Sequence, residues 1–159
     1  YRIKALIASI SNSYPVGALM FLEFSENGEI RFKYRPFTGA TAEESPEILV
    51  LDGQQRLTSI FNSLYSRKPV KTRTEKNKEI QRYYYLDIEK SLNSTSDRID
   101  AVISVPEDKI IKVNVGRDIE LDISTREKEY KNKLFPLNIV HDLMEYKDWY
   151  FFRALIQYT

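Results

Sequence analysis

Apolar residues recur along this chain with two periods, and each change of period marks a predicted element. Between residues 3 and 10, apolar side chains recur every three or four positions, which predicts a helix that ends before Tyr14-Pro15. Residues 16–24 form a nearly continuous apolar run, which is typical of a buried strand. The hairpin signal Asn27-Gly28 precedes alternating apolar and basic residues at 30–35, which indicate a second strand.

The sharpest change of period lies at Asp52-Gly53. The apolar run at 48–51 ends there, and apolar residues then recur at positions 57, 60, 61 and 64. That spacing places them on one face of a helix, which is expected to be buried. The sequence therefore predicts a strand, a tight glycine turn and a helix whose first turn holds Gln54, Gln55 and Arg56.

The second half of the chain alternates short elements with charged segments. Residues 67–82 hold seven Lys or Arg against two Glu, which favours a solvated loop and leaves a nucleic-acid contact as the alternative. Strands are predicted at 83–88, 101–105 and 109–113. A helix is predicted at 142–159, with Leu143, Tyr146 and Tyr150 among its inward residues. This mixture predicts an α+β or α/β fold with a small mixed β-sheet and flanking helices.

Length and composition narrow the class of protein. A chain of 159 residues with 42% hydrophobic residues is expected to form a single domain over residues 1–159. The net charge of +1 excludes a general polycation but leaves room for a local basic patch. There is no cysteine, which excludes disulfides and cysteine-based zinc sites, and no apolar run reaches the roughly 18–20 residues of a membrane span. Because the chain begins with Tyr1 rather than Met, we expect it to be a piece of a longer multidomain protein.

The turn at Gly53 carries the strongest chemical signal. A helix N-terminus offers unpaired N–H groups and the positive end of the helix dipole, which attract anions. Glycine lets the backbone approach a phosphate, and Arg56 supplies a bidentate fork for its oxygens. The alternative is a structural turn in which Asp52 caps the helix or pairs with Arg56.

Three stretches of the sequence resemble one known family. The segment V-L-D-G-Q-Q-R-L-T at 50–58 resembles the signature of the N-terminal domain of GmrSD-type restriction proteins, which is related to the ParB/sulfiredoxin-like domains. Residues 5–23, with their Y-P-x-G turn, and residues 134–142 resemble further parts of the same domain. In that superfamily a Gly-x-x-Arg turn holds nucleotide phosphates, and Gly53-Gln54-Gln55-Arg56 fits it position by position.

The resemblance implies a cytoplasmic module of a restriction or anti-phage defence protein. It would bind an NTP at Gly53, Gln54, Gln55 and Arg56, and hydrolyse it with Mg²⁺. Hydrolysis would gate a nuclease domain outside this chain, and DNA would be met by the full-length protein. The aromatic-rich motif that precedes this domain in the family has no counterpart here.

Four other residues are assigned to the same site as hypotheses. Asp52 is the candidate ligand for Mg²⁺ or the group that orients a water molecule, with capping or pairing as the alternative. Thr58 lies one turn beyond the helix start and reaches either the nucleotide or its own backbone. Tyr14 and Gly17 are candidates for a wall of the pocket, or simply for the turn that stops the first helix.

Two other classes of function stay open. In a DNA-binding or protein-interaction module the same turn would contact a DNA phosphate, and the 67–82 segment with Arg31, Lys33 and Arg35 would supply the charge. A nuclease acting through the ParB-like fold itself is the third class. The scarcity of carboxylates near the turn argues against it.

Overall fold

A computed structural model describes residues 2–23, 33–38, 46–74 and 76–156, with side chains through residue 151. It combines short helices with antiparallel strands, which confirms the α+β class. The helices are α1 (Arg2–Ser11), α2 (Gln54–Ile60), α3 (Ile88–Leu92), α4 (Arg98–Ala101), α5 (Arg126–Lys131) and α6 (Leu143–Ile156). The strands are β1 (Met20–Glu23), β2 (Ile48–Asp52), β3 (Val70–Arg73), β4 (Glu79–Asp87), β5 (Val102–Pro106), β6 (Ile110–Val113), β7 (Asp118–Asp122) and β8 (Leu134–Pro136).

Every strand pairing in the described residues is antiparallel, so the expected mixed sheet is corrected to antiparallel sheets. Strand β4 is the centre of a four-stranded sheet and pairs with β3, β5 and β8. Arg82 pairs with both β3 and β5, and Tyr85 pairs with both β5 and β8. Since a strand has two edges, β3 and β8 share one edge of β4 and β5 occupies the other.

The core lies between this sheet and the helices α1, α5 and α6. Val102 of β5 is fully buried in this core, whereas Val105 is fully buried in a second cluster with Tyr85 and Ile123. Trp149 of α6 meets Phe135 edge to face at 5.1 Å between ring centroids. Edge-to-face aromatic pairs of this kind stabilise a core beyond the area that they bury. Tyr130 of α5 joins the same cluster at 5.5 Å from Trp149.

Strand β1 is shorter and more exposed than the apolar run at 16–24 predicted. Among the described residues of that run, Met20–Glu23 form the strand, and Met20 is 58% exposed and Phe21 50% exposed. The reason is that β1 pairs with β2 in a separate two-stranded sheet, which buries neither strand deeply. The predicted hairpin at Asn27-Gly28 lies outside the described residues, and residues 33–37 are not in a strand.

Two charged segments also differ from expectation. The predicted loop at 67–82 contains β3 and the start of β4, paired in register from Val70↔Arg82 to Arg73↔Glu79. Helix α6 forms as expected, but Leu143, Tyr146 and Tyr150 are exposed and Trp149 is buried instead. No helix in the described part of the chain is long and apolar enough to cross a membrane.

Candidate functional site

Strand β2, Gly53 and helix α2 form the strand–turn–helix that the sequence predicts. Gly53 is the N-cap of α2 with φ 87° and ψ 8°, a left-handed conformation that glycine adopts without strain. It gives the helix no side-chain cap, and the Leu57 N–H donates to the Gly53 carbonyl at 3.0 Å. Asp52 is therefore not the cap, and no side chain of the N-cap residue occupies the main-chain donors at the start of the helix.

Arg56 reaches back across the turn to the loop between α1 and β1. Its guanidinium donates through Nη1 to the Val16 carbonyl, and through Nη2 to the Ala18 carbonyl at 2.6 Å. These two bonds cross about forty residues of sequence and tie the loop at 14–19 to the start of α2. A guanidinium carries five N–H donors, so these two bonds use only part of its hydrogen-bonding capacity.

Gly17 lies between the two carbonyls that Arg56 contacts. Its φ is 94°, and a Cβ atom at this position would overlap Nη1 of Arg56. A Cβ at Gly53 would overlap the end of the Leu19 side chain. The two glycines thus allow the loop and the turn to approach each other, and Gly17 belongs to the same site as Gly53.

Asp52 ends β2 with its side chain 71% exposed. Its Oδ2 lies 3.6 Å from Nη2 of Arg56, a long, solvated pair. No group of three or more His, Asp or Glu side chains that could hold a metal ion occurs in the described residues. An ion held by Asp52 would therefore take its remaining ligands from water and from a bound phosphate.

The other predicted site residues differ in their exposure and in their hydrogen bonds. Gln54 is exposed and donates to the Val50 carbonyl at 3.0 Å, and Gln55 is exposed on the same helix turn. Thr58 is half-buried, and its carbonyl accepts from Asn62 Nδ2 at 2.8 Å. Tyr14 is 63% exposed, and its backbone N–H bonds to the Ser9 carbonyl at the end of α1.

The far end of the α2 segment meets the third region that the sequence singled out. The helix widens into a π-helical turn at Phe61–Tyr65, where His141 bonds to the Leu64 carbonyl at 3.1 Å and stacks on Tyr65 with 4.2 Å between ring centroids. Residues 14–19 and 134–142 thus pack at the two ends of one helical segment. The arrangement brings together three stretches that are far apart in sequence.

Sequence reasoning missed the acceptors of Arg56 because they are main-chain carbonyls. A carbonyl carries no residue-type signal, and Gly17 was the only indication that a side chain lies against this loop.

Sequence reasoning also missed a charge network beyond the site. Arg67 pairs with Asp142 at 2.5 Å and with Glu145, and Arg126 donates to the other oxygen of Glu145 at 2.7 Å. The hydrogen bond from Arg67 is the main cause that lowers the pKa of Glu145 below its usual value.

A cavity of about 450 Å³ lies away from this turn, beside β3 and β4. Its walls include Lys71, Gln81 and Arg82, together with Glu79 and Glu107. None of the residues at the Gly53 turn lines it.

Comparison with known proteins places this geometry in context. Residues 1–156 match the family model of the GmrSD restriction endonuclease, N-terminal domain. An uncharacterized protein of Methanocaldococcus jannaschii is 35% identical over 108 residues, which cover 66% of this chain and 17% of that protein. The chain therefore spans less than a fifth of the length of this curated relative. No solved structure matches the chain.

Proposed function

The chain belongs to the family of GmrSD restriction endonuclease N-terminal domains, and we propose that it serves there as the module that binds and hydrolyses a nucleoside triphosphate. In this proposal the triphosphate lies at the Gly53 turn, and its hydrolysis gates a nuclease domain outside this chain. Restriction of foreign DNA by the whole protein is part of the same proposal. The base of the nucleotide is left open.

One observation carries the proposal. The helix that follows β2 begins at a left-handed glycine with no side-chain cap, so no capping side chain competes with a ligand for its first-turn N–H groups. Such a terminus is a ready anion site, because the unpaired donors and the helix dipole act in the same direction. Gly53 itself is buried against Leu19 and Arg56, so a phosphate would meet the exposed residues Gln54 and Gln55 of the same turn.

The two glutamines give this site its polar wall. Both side chains are exposed, and an amide group offers donors and acceptors together. Gln55 shares its turn with the helix mouth, whereas the amide nitrogen of Gln54 is engaged by Val50. We assign Gln55 to contact the nucleotide and Gln54 to hold the end of β2 against the helix.

Arg56 has two tasks in this proposal. Its bonds to Val16 and Ala18 hold the loop at 14–19 in place beside the turn. Its side chain is still 29% exposed, and the remaining N–H donors supply positive charge at the helix mouth. Positive charge fixed at that point would stabilise the charge that develops during phosphoryl transfer.

Asp52 is the proposed Mg²⁺ ligand. Its carboxylate is exposed beside the helix mouth, and oxygen is the ligand type that Mg²⁺ requires. Mg²⁺ in phosphoryl-transfer sites is commonly held by one or two carboxylates and the phosphates themselves, so a single Asp fits the donor set. When bound, the ion would neutralise phosphate charge. The residues of this chain would hold and orient the phosphates.

The experiment is calorimetric titration of the chain with each of the four NTPs in the presence of Mg²⁺. We expect binding that Gln55→Ala and Asp52→Asn weaken, since neither side chain holds the fold together. Arg56→Ala should also weaken binding, and Arg117→Ala, which removes an exposed arginine from the β6–β7 hairpin, is its matched control. Unchanged binding in Asp52→Asn and Gln55→Ala, or no binding of any NTP by the folded chain, would contradict a nucleotide site here.

A further inference from the structure

Strands β3 and β4 project as a two-stranded ribbon from the main sheet. Val70–Arg73 pair with Glu79–Arg82, whereas β5 begins to pair with β4 only at Arg82 and β8 only at Tyr85. In the described residues, positions 79–81 thus have β3 as their single strand partner. We call residues 70–82 the basic ribbon; Glu75 among them lies outside the described residues.

The tip of the basic ribbon is held by local hydrogen bonds. The Thr74 N–H donates to the Lys78 carbonyl at 2.9 Å, and the Asn77 N–H donates to the Thr74 carbonyl at 2.9 Å. Arg73 adds a side-chain bond to the Asn77 amide oxygen at 3.1 Å. A tip fixed in this way presents its charges with little further ordering on binding.

The basic ribbon has a net positive charge, whereas the rest of the chain has none. It contains five Lys or Arg and two Glu, whereas the whole chain has a net charge of only +1. Lys71, Lys76 and Lys78 are exposed, and none of them forms an ion pair with a described residue. Arg73 is the exception, because it pairs with Glu79 at 3.3 Å.

We propose that the basic ribbon binds the phosphate backbone of duplex DNA. A two-stranded antiparallel ribbon has the width that the major groove admits, and unpaired lysines at its tip attract a polyanion. The ribbon contains no aromatic residue, so it lacks the stacking surfaces by which single strands are bound. Its contacts go to phosphates, so binding is independent of sequence.

Acidic groups limit which part of the ribbon makes the contact. Glu107 follows the residue of β5 that pairs with Arg82, so it repels phosphate from the base of the ribbon, whereas Glu79 lies nearer the tip and is paired with Arg73. The contact therefore lies at the tip, with Lys76 and Lys78, rather than at Lys71, which lines the same cavity as both Glu residues. This surface is separate from the Gly53 turn, so the inference stands independently of the proposed nucleotide site.

The test is fluorescence anisotropy of a labelled DNA duplex with the chain across a series of salt concentrations. Lys76→Glu/Lys78→Glu reverses two charges at the tip, and Lys131→Glu/Lys147→Glu is the matched control, with two exposed lysines on α5 and α6. Each phosphate contact contributes about 0.9 to the slope of log K against log salt, or roughly eightfold in affinity at 0.1 M salt. We expect the tip variant to lose about 60-fold or more in affinity and about 2 units of slope.

The control defines what would overturn the inference. The control variant should keep most of the wild-type affinity, because its lysines lie outside the ribbon. Equal losses in the two variants would mean that only overall charge matters, and the ribbon would have no special role. Binding that does not depend on salt, or a single strand that competes better than the duplex, would likewise refute a duplex-phosphate contact.

Discussion

Replacing Gly17 by alanine tests whether Arg56 holds the loop at 14–19 against the turn. The new Cβ would overlap Nη1 of Arg56, so the guanidinium must leave the carbonyls of Val16 and Ala18. Gly116→Ala is the matched control: Gly116 has φ 85°, close to the 94° of Gly17, but a Cβ there meets nothing within 4 Å. The control therefore measures backbone strain alone.

The magnitude follows from the two contributions. Alanine in a left-handed conformation costs about 1–2 kcal/mol, and this cost applies to both variants. Gly17→Ala also loses two charged hydrogen bonds, each worth about 1.5–3 kcal/mol when buried. Since the Arg56 side chain is 29% exposed, we discount them to about 1 kcal/mol each. We expect a total near 3–4 kcal/mol for Gly17→Ala against about 1–2 kcal/mol for Gly116→Ala.

Urea denaturation followed by circular dichroism measures both free energies of unfolding. A double-mutant cycle with Arg56→Ala completes the design: without the guanidinium, Gly17→Ala should cost no more than Gly116→Ala. The reasoning is refuted if Gly17→Ala and Gly116→Ala cost the same with Arg56 present. It is also refuted if the cost of Gly17→Ala does not fall when Arg56 is absent.

Two further predictions concern stability away from the turn. The buried Tyr85 hydroxyl donates to Glu129 Oε1 at 2.7 Å, so Tyr85→Phe should lower the free energy of unfolding by about 1.5–3 kcal/mol. The control variant Tyr83→Phe should lower it by less than about 1 kcal/mol. Equal effects of the two variants would contradict the role of this bond. A hydrogen bond from Lys128 is the main cause that lowers the pKa of Asp122 to about 2. Because the folded pKa lies below the unfolded value, this stabilisation is complete above about pH 4 and is lost as the pH falls through 2. The stability difference between wild type and Asp122→Asn should shrink over that window in denaturation curves, and a constant difference down to pH 2 would argue against it.

How far the sequence predicts this fold depends on which residues form each inner face. The turn at Gly53 was predictable, because glycine, a change of period and an apolar run coincide there. The orientation of α6 was not, because Asp142 and Glu145 lie near its inward side with Trp149 and are held there by Arg67 and Arg126. Apolar periodicity alone then assigns the inward face of the helix one residue away from its true position, because ion-paired side chains occupy part of that face.

The basic ribbon escaped prediction for a related reason. Its strands alternate exposed and partly buried positions, but the inner positions are Val70, Thr72, Ile80 and Arg82, a weak apolar signal. The dense charge therefore indicated a loop. In the candidate site, the sequence predicted Gly53 and Arg56 as neighbours, but it did not predict that Arg56 bonds to the main chain at 16 and 18.

The contact between Arg56 and the loop also predicts how this protein can change in evolution. Both acceptors are main-chain atoms, so the side chains of Val16 and Ala18 can be exchanged without loss of the bonds. Gly17 between them cannot, because any larger residue displaces the guanidinium. Among relatives that keep this architecture, we expect a variable–glycine–variable triplet whose glycine co-varies with an arginine about forty positions later. Such a linked pair would identify the contact in sequences for which no structure exists.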